Sequence, residues 1–191
     1  MFIIEGPDCV GKTTVADKVV EMANSYGSFP IYYQHMTRPP RHFDFCFHYL
    51  DMMSKYAVMD RFHLGALAYH PADTLPAYQR KFVESQLYQK GSIIVIMYAS
   101  NPLRYREKLE AHASQRKEMF DFDVLVNANA IFTELALSGN YDYTWDITQS
   151  NYPDSSIEFR YPDKEVLKTW IETWFKSLHI LEMWKHGGRI D

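Results

Sequence analysis

The stretch Gly6-Pro7-Asp8-Cys9-Val10-Gly11-Lys12-Thr13 constrains this chain more than any other. It fits G-x-x-x-x-G-K-[ST], a spacing that makes an anion cradle. Its glycines let the backbone curl until consecutive N–H groups point at a phosphate. The short apolar run Phe2-Ile3-Ile4-Glu5 precedes it, and Val15, Ala16, Val19, Val20, Met22 and Ala23 follow at helical spacing. Strand, loop and helix are the context the motif requires. The helix N-terminus adds partial positive charge. The spacing predicts a nucleotide site built from Asp8, Cys9, Val10, Gly11, Lys12, Thr13 and Thr14. Lys12 is expected at the surface, reaching the β- and γ-phosphates of ATP, and the Thr13 hydroxyl is expected on Mg²⁺, a hard cation that takes oxygen ligands.

The rest of the chain is consistent with one α/β domain spanning residues 1–191. Expected strands are Phe2–Glu5, Ile31–His35, Tyr56–Asp60, Ser92–Tyr98 and Tyr143–Ile147. The run Ser-Ile-Ile-Val-Ile-Met-Tyr at 92–98 suits a strand covered on both faces. Expected helices include Leu75–Lys90, Phe122–Ser138 and Asp163–Leu181, the last with tryptophans on a wide apolar face directed to the core. Gln149–Pro162 is polar and reads as a surface loop.

A formal net charge of −4 gives no global reason to expect nucleic-acid binding. Two cysteines, Cys9 and Cys46, make no disulfide framework, and a free thiol at Cys9 fits a reducing compartment. There is no charged segment ahead of an apolar stretch, and Ile93–Tyr98 is too short to span a bilayer. A soluble, cytoplasmic protein without a membrane partner is the expectation.

A second constellation lies at Asp60-Arg61. Tyr56-Ala57-Val58-Met59 reads as a buried strand that delivers this pair at its carboxyl end, where open α/β sheets bind ligands. A carboxylate there orders the Mg²⁺ shell or accepts a proton from an attacking hydroxyl. A guanidinium there holds an acceptor phosphate through two parallel bonds.

With both motifs in view the sequence resembles the thymidylate kinases. Ile4-Glu5-Gly6-Pro7-Asp8-Cys9-Val10-Gly11-Lys12-Thr13-Thr14 is similar to that family's opening, and Asp60-Arg61-Phe62-His63 with Ala68-Tyr69 is similar to its Asp-Arg-aromatic motif and Ala-Tyr follow-on. Thr37-Arg38-Pro39 is similar to its Arg-Glu-Pro segment without the Glu. The resemblance spans about residues 1–137. It implies a P-loop kinase fold: a five-stranded parallel sheet, order 2-3-1-4-5, with helices on both faces. It implies that Asp8 meets the acceptor sugar and that Arg61 and Arg38 hold acceptor phosphate. Tyr69, Arg41 and Phe43 complete the expected acceptor side. It also implies an acceptor arm at about 36–56 and a lid at about 103–119. Cys9 stands where some members carry a catalytic arginine, so the lid is expected to supply it. Arg104, Arg106, Arg116 and Lys117 are candidates, with Arg116 preferred because it precedes a Phe-rich stretch.

Two departures matter. The arm between Arg38 and Asp60 has room for one short helix only, and the family's base-reading Asp-Arg pair has no clear match there. Phe43, Phe45 and Phe47 read as alternate core positions. His35, Arg38, Arg41 and His42 form a basic patch suited to a free nucleotide's phosphate or to a DNA backbone phosphate. The expectation is therefore transfer of the ATP γ-phosphoryl to a pyrimidine deoxynucleotide, a dTMP-like monophosphate. A phage-type kinase acting on 5-hydroxymethyluracil within DNA is the alternative. A nucleotide-binding switch without kinase activity is the reading from another class. A homodimer is compatible with all three.

Overall fold

Continuous β-branched runs without polar alternation need cover on both faces, and the chain supplies it with helices. The computed structural model describes residues 1–26, 30–36, 44–54, 56–70, 74–116, 121–149 and 159–185; at 116 and 179–185 the description is of the helix backbone. The strands are β1 (Phe2–Glu5), β2 (Tyr32–His35), β3 (Ala57–Asp60), β4 (Ile93–Tyr98) and β5 (Tyr143–Asp146). They form one sheet in the order β2-β3-β1-β4-β5, parallel throughout. The register sets Ile4 beside Asp60 and Glu5 beside Ile96. The ends of β1 and β3 therefore sit side by side, and the two sequence motifs leave the sheet at one edge.

The helices are α1 (Lys12–Ser25), α2 (Phe45–Asp51), α3 (Leu64–Tyr69), α4 (Ala77–Gln89), α5 (Pro102–Arg116), α6 (Phe122–Leu137) and α7 (Lys164–Lys185). Strand alternation divides the core in two. Phe2, Ile4, Val58, Val95 and Met97 pack with α1, the buried side of α5 and α7. Ile3, Met59, Ile94 and Ile96 point the other way, toward α2, α3, α4 and α6. Trp170 and Trp174 of α7 are buried against Phe2, with ring centroids 6.4 and 5.6 Å away, so they serve packing as expected. The expected fold is the one observed.

Element ends differ from the sequence reading by a few residues. Ile31, Tyr56, Ser92 and Ile147 flank strands rather than belong to them, and α7 continues past Leu181 to Lys185. Two differences have physical content. Phe45 and Phe47 lie on helix α2, not on a strand, so residues two apart fall on opposite sides. Phe45 packs on the core and Phe47 is 71% exposed. The Asp44 side chain caps this helix by accepting from the N–H groups of Cys46 and Phe47, a local preference that outweighs the aromatic alternation. The end of the supposed surface loop 149–162 is also anchored. Arg160 N–H donates to the Ile147 carbonyl at 2.9 Å, the Trp145 indole donates to the Arg160 carbonyl at 2.8 Å, and Pro162 is buried.

Candidate active site

Lys12 is the first residue of α1, and Gly11 caps it in the left-handed region at φ 87°. Lys12 is not at the surface. Its side chain is 5% exposed, and its ammonium donates to the Pro7 carbonyl at 2.6 Å with Asp8 at 3.8 Å. Burial pushes its pKa down, and the neighbouring Arg61 charge adds to this; Asp8, Asp60 and Glu5 oppose both. The loop curls around its own lysine because that cation needs the carbonyl and carboxylate once it is removed from water.

Asp60, at the end of β3, accepts the Thr13 hydroxyl at 2.6 Å and the Tyr33 hydroxyl at 3.2 Å, both on Oδ2, and lies 3.4 Å from His35 Nδ1. The chain turns sharply after it. Arg61 has φ 69°, and its N–H donates to the Ile4 carbonyl at 2.9 Å. A non-glycine residue held there is a strained point of the kind that collects at functional sites. The turn directs the Arg61 guanidinium onto Asp8, with which it forms a close ion pair. Asp8 is fixed from two more directions: its N–H donates to the Tyr69 hydroxyl, and its carbonyl accepts the Tyr105 hydroxyl, both at 2.7 Å. Burial drives the pKa of each of these tyrosines upward.

Glu5 holds the turn from below. Its Oε1 accepts the N–H groups of Phe62 and Leu64 at 3.0 and 2.8 Å, and His63 Nδ1 lies 3.9 Å from the same oxygen. His63 Nε2 is bonded to Glu84 at 3.1 Å.

Two cavities meet at this point. One, of about 690 Å³, runs along Asp8, Cys9, Gly11, Lys12, Thr13 and Thr14 to Asp60 and Arg61, with α5 and Tyr161 as the far wall. The other, of about 270 Å³, is lined by Tyr49, Phe62, Gly65 and Tyr69 and again by Asp8 and Arg61. Asp8 and Arg61 belong to both. Val10, expected at the nucleotide site, lines neither cavity; its side chain is fully buried in the core.

The structure thus brings Asp8, Lys12, Thr13, Asp60, Arg61 and Tyr69 together. Arg38, Arg41 and Phe43 lie outside the described residues, as do Lys117 and the side chain of Arg116. Arg106 pairs with Glu110 at 3.2 Å on the exposed side of α5, and neither it nor Arg104 lines either of these two cavities. Sequence reasoning missed Tyr49, Tyr105, Lys108 and Tyr161. Tyr49 follows a run whose phenylalanines were read as alternate core positions, and Lys108 lies in the expected lid segment, where Arg104, Arg106, Arg116 and Lys117 were the candidates.

A Mg²⁺ ion fits the residues present. Asp60 Oδ1 is buried without a hydrogen-bond partner, the Thr13 hydroxyl is beside the other oxygen, and both are hard donors. Among the described residues there is no cluster of three or more His, Cys, Asp or Glu side chains able to hold a metal by themselves. Mg²⁺ bound through one carboxylate, one hydroxyl and substrate phosphates needs none. Among the described residues no helix is long and apolar enough to cross a membrane.

No protein-family model matches the sequence, and no curated protein matches it. Among solved structures, the YorR protein of Bacillus subtilis in complex with phosphorylated GDP is similar in fold. The TM-score is 0.62 at 17% identity over 97% of each chain. Deoxyadenosine kinase of M. mycoides, with the products dCMP and dCDP, aligns over 94% of this chain and 98% of its own at 12% identity, with a TM-score of 0.37.

Proposed function

We propose that the protein is an ATP-dependent phosphotransferase that moves the γ-phosphoryl group to a pyrimidine deoxynucleotide. The observation that carries this reading is the meeting of two cavities at Asp8 and Arg61. A nucleotide switch needs one site. A transferase needs a donor and an acceptor site that touch, with charged groups at the junction.

In this reading the donor phosphates lie on the loop 8–14. Lys12 leaves the Pro7 carbonyl for the phosphate chain. Thr13 and Asp60 would hold Mg²⁺, which supplies neutralisation of charge on the phosphate oxygens when bound. The bond from the γ-phosphorus to its bridging oxygen breaks as the acceptor oxygen bonds to phosphorus, and ADP departs. Arg61 steadies an acceptor phosphate. The smaller cavity takes one base between aromatic walls. At about 270 Å³ it is close to the lower end of ordinary ligand pockets, about 300 Å³. A phosphate acceptor is already nucleophilic; a hydroxyl acceptor would pass its proton to a carboxylate at the junction.

The test is a panel of acceptors with γ-labelled ATP: free dTMP and other monophosphates, nucleosides, guanine nucleotides because YorR was crystallised with one, and DNA containing 5-hydroxymethyluracil. Label on a free pyrimidine deoxynucleotide supports the reading. Label only on DNA moves the acceptor to the polymer, and ATP hydrolysis indifferent to every acceptor supports the switch.

A further inference from the structure

Helix α5 presents Glu107, Lys108, Ala111, His112 and Gln115 to the larger cavity, while Tyr105 and Leu109 root its other side in the core. Of these residues Lys108 carries a lysine ammonium into the same cavity as Lys12. We propose that Lys108 contacts the phosphate chain of the donor nucleotide, exchanging the Tyr161 hydroxyl for a phosphate oxygen. This rests on the donor reading of the larger cavity.

Three observations support it. The first is proximity. The Lys108 ammonium donates to the Tyr161 hydroxyl at 2.6 Å, and the Tyr161 ring lies so close to Gly11 that a β-carbon there would overlap it. One phenol ring therefore separates the ammonium from the backbone that cradles phosphate.

The second is charge. Among the described residues Lys108 takes part in no ion pair, whereas Arg61 is paired with Asp8 and Lys12 lies 3.8 Å from that carboxylate. Glu107 lines the same cavity but is not paired with Lys108. The ammonium has instead a neutral phenol and two aromatic faces, 3.9 Å from the Phe159 centroid and 5.2 Å from that of Tyr161. The bond to the phenol has charge on its donor alone, whereas a phosphate oxygen adds full opposite charge on the acceptor, so a phosphate displaces the phenol.

The third is that, among the described lysine and arginine side chains of α5, none is better placed. Arg106 is committed to Glu110 and to the Phe122 ring at 6.0 Å, and Arg104 does not reach the cavity.

The test is calorimetric binding of a non-hydrolysable ATP analogue with Mg²⁺ to the whole protein and to three variants. Lys108→Met weakens binding by about tenfold or more, the usual scale for one charge-assisted hydrogen bond. Lys108→Arg restores most of the loss. Tyr161→Phe removes the competing partner and tightens binding. Unchanged affinity in Lys108→Met overturns the proposal. So does a loss in Tyr161→Phe equal to that in Lys108→Met, because the pair would then be a structural clasp. These readouts need no acceptor. A wild-type protein that binds the analogue yet labels no acceptor refutes the transferase reading alone.

Discussion

Thr13 donates its hydroxyl hydrogen to Oδ2 of Asp60 at 2.6 Å, across 47 positions of sequence. This bond joins the first turn of α1 to the end of β3 and leaves Asp60 Oδ1 buried and unpartnered. Asp60→Asn keeps the shape and removes the charge. The magnesium concentration for half-maximal rate is expected to rise about tenfold, and turnover to fall roughly a hundredfold, the scale of one lost electrostatic contact. A magnesium titration of initial rates checks this. An unchanged titration would place the cation elsewhere.

Gly6 and Gly139 both have positive φ, 154° and 71°, but different surroundings. A β-carbon on Gly6 would overlap the carbonyl of Met97 in the neighbouring strand, whereas nothing lies within 4 Å of one on Gly139. Gly139→Ala is therefore expected to show only the backbone cost, about 1–2 kcal/mol. Gly6→Ala adds overpacking against a rigid strand, about 1–3 kcal/mol more. For a chain of this size each kcal/mol lowers Tm by roughly 2–4 °C. Thermal melts of the two variants should rank accordingly, and equal Tm values would contradict the close approach of β1 to β4.

How much of this was legible follows from which forces are local. The phosphate loop and the long helices were legible because glycine spacing and apolar periodicity are local signals. Asp60 and Arg61 were legible because a buried strand delivers whatever follows it to the ligand edge. Phe47 was misread because the Asp44 cap turns an alternating run into a helix. The buried state of Lys12 depends on Pro7 and Asp8 folding back over it, which spacing does not reveal. Lys108 and Tyr161 are 53 positions apart and meet only because α5 and the end of the β5–α7 connection pack on the same loop.

Glu5 offers a test through pH. It is fully buried, and burial pushes its pKa above the ordinary 4.5, against the pull of His63, Lys12 and two backbone N–H groups. The folded state therefore holds a proton that the unfolded state has released, so this group's contribution to stability falls as pH rises from about 4.5 through the higher folded value. Glu5→Gln does not titrate. Its stability relative to wild type should rise with pH between 4.5 and the folded pKa. Denaturant unfolding at a series of pH values measures the difference, and a difference that falls across that window would contradict the sign.

The central claim is that the loop 8–14 binds a nucleotide whose γ-phosphoryl group is transferred. Lys12→Met tests it most directly, because methionine fills much of the space of a buried lysine without its charge. With γ-labelled ATP, Mg²⁺ and the best acceptor of the panel, the variant should transfer label about a hundred- to a thousandfold more slowly than wild type, while circular dichroism shows the same fold. Transfer by the variant within a few-fold of the wild-type rate would contradict the account.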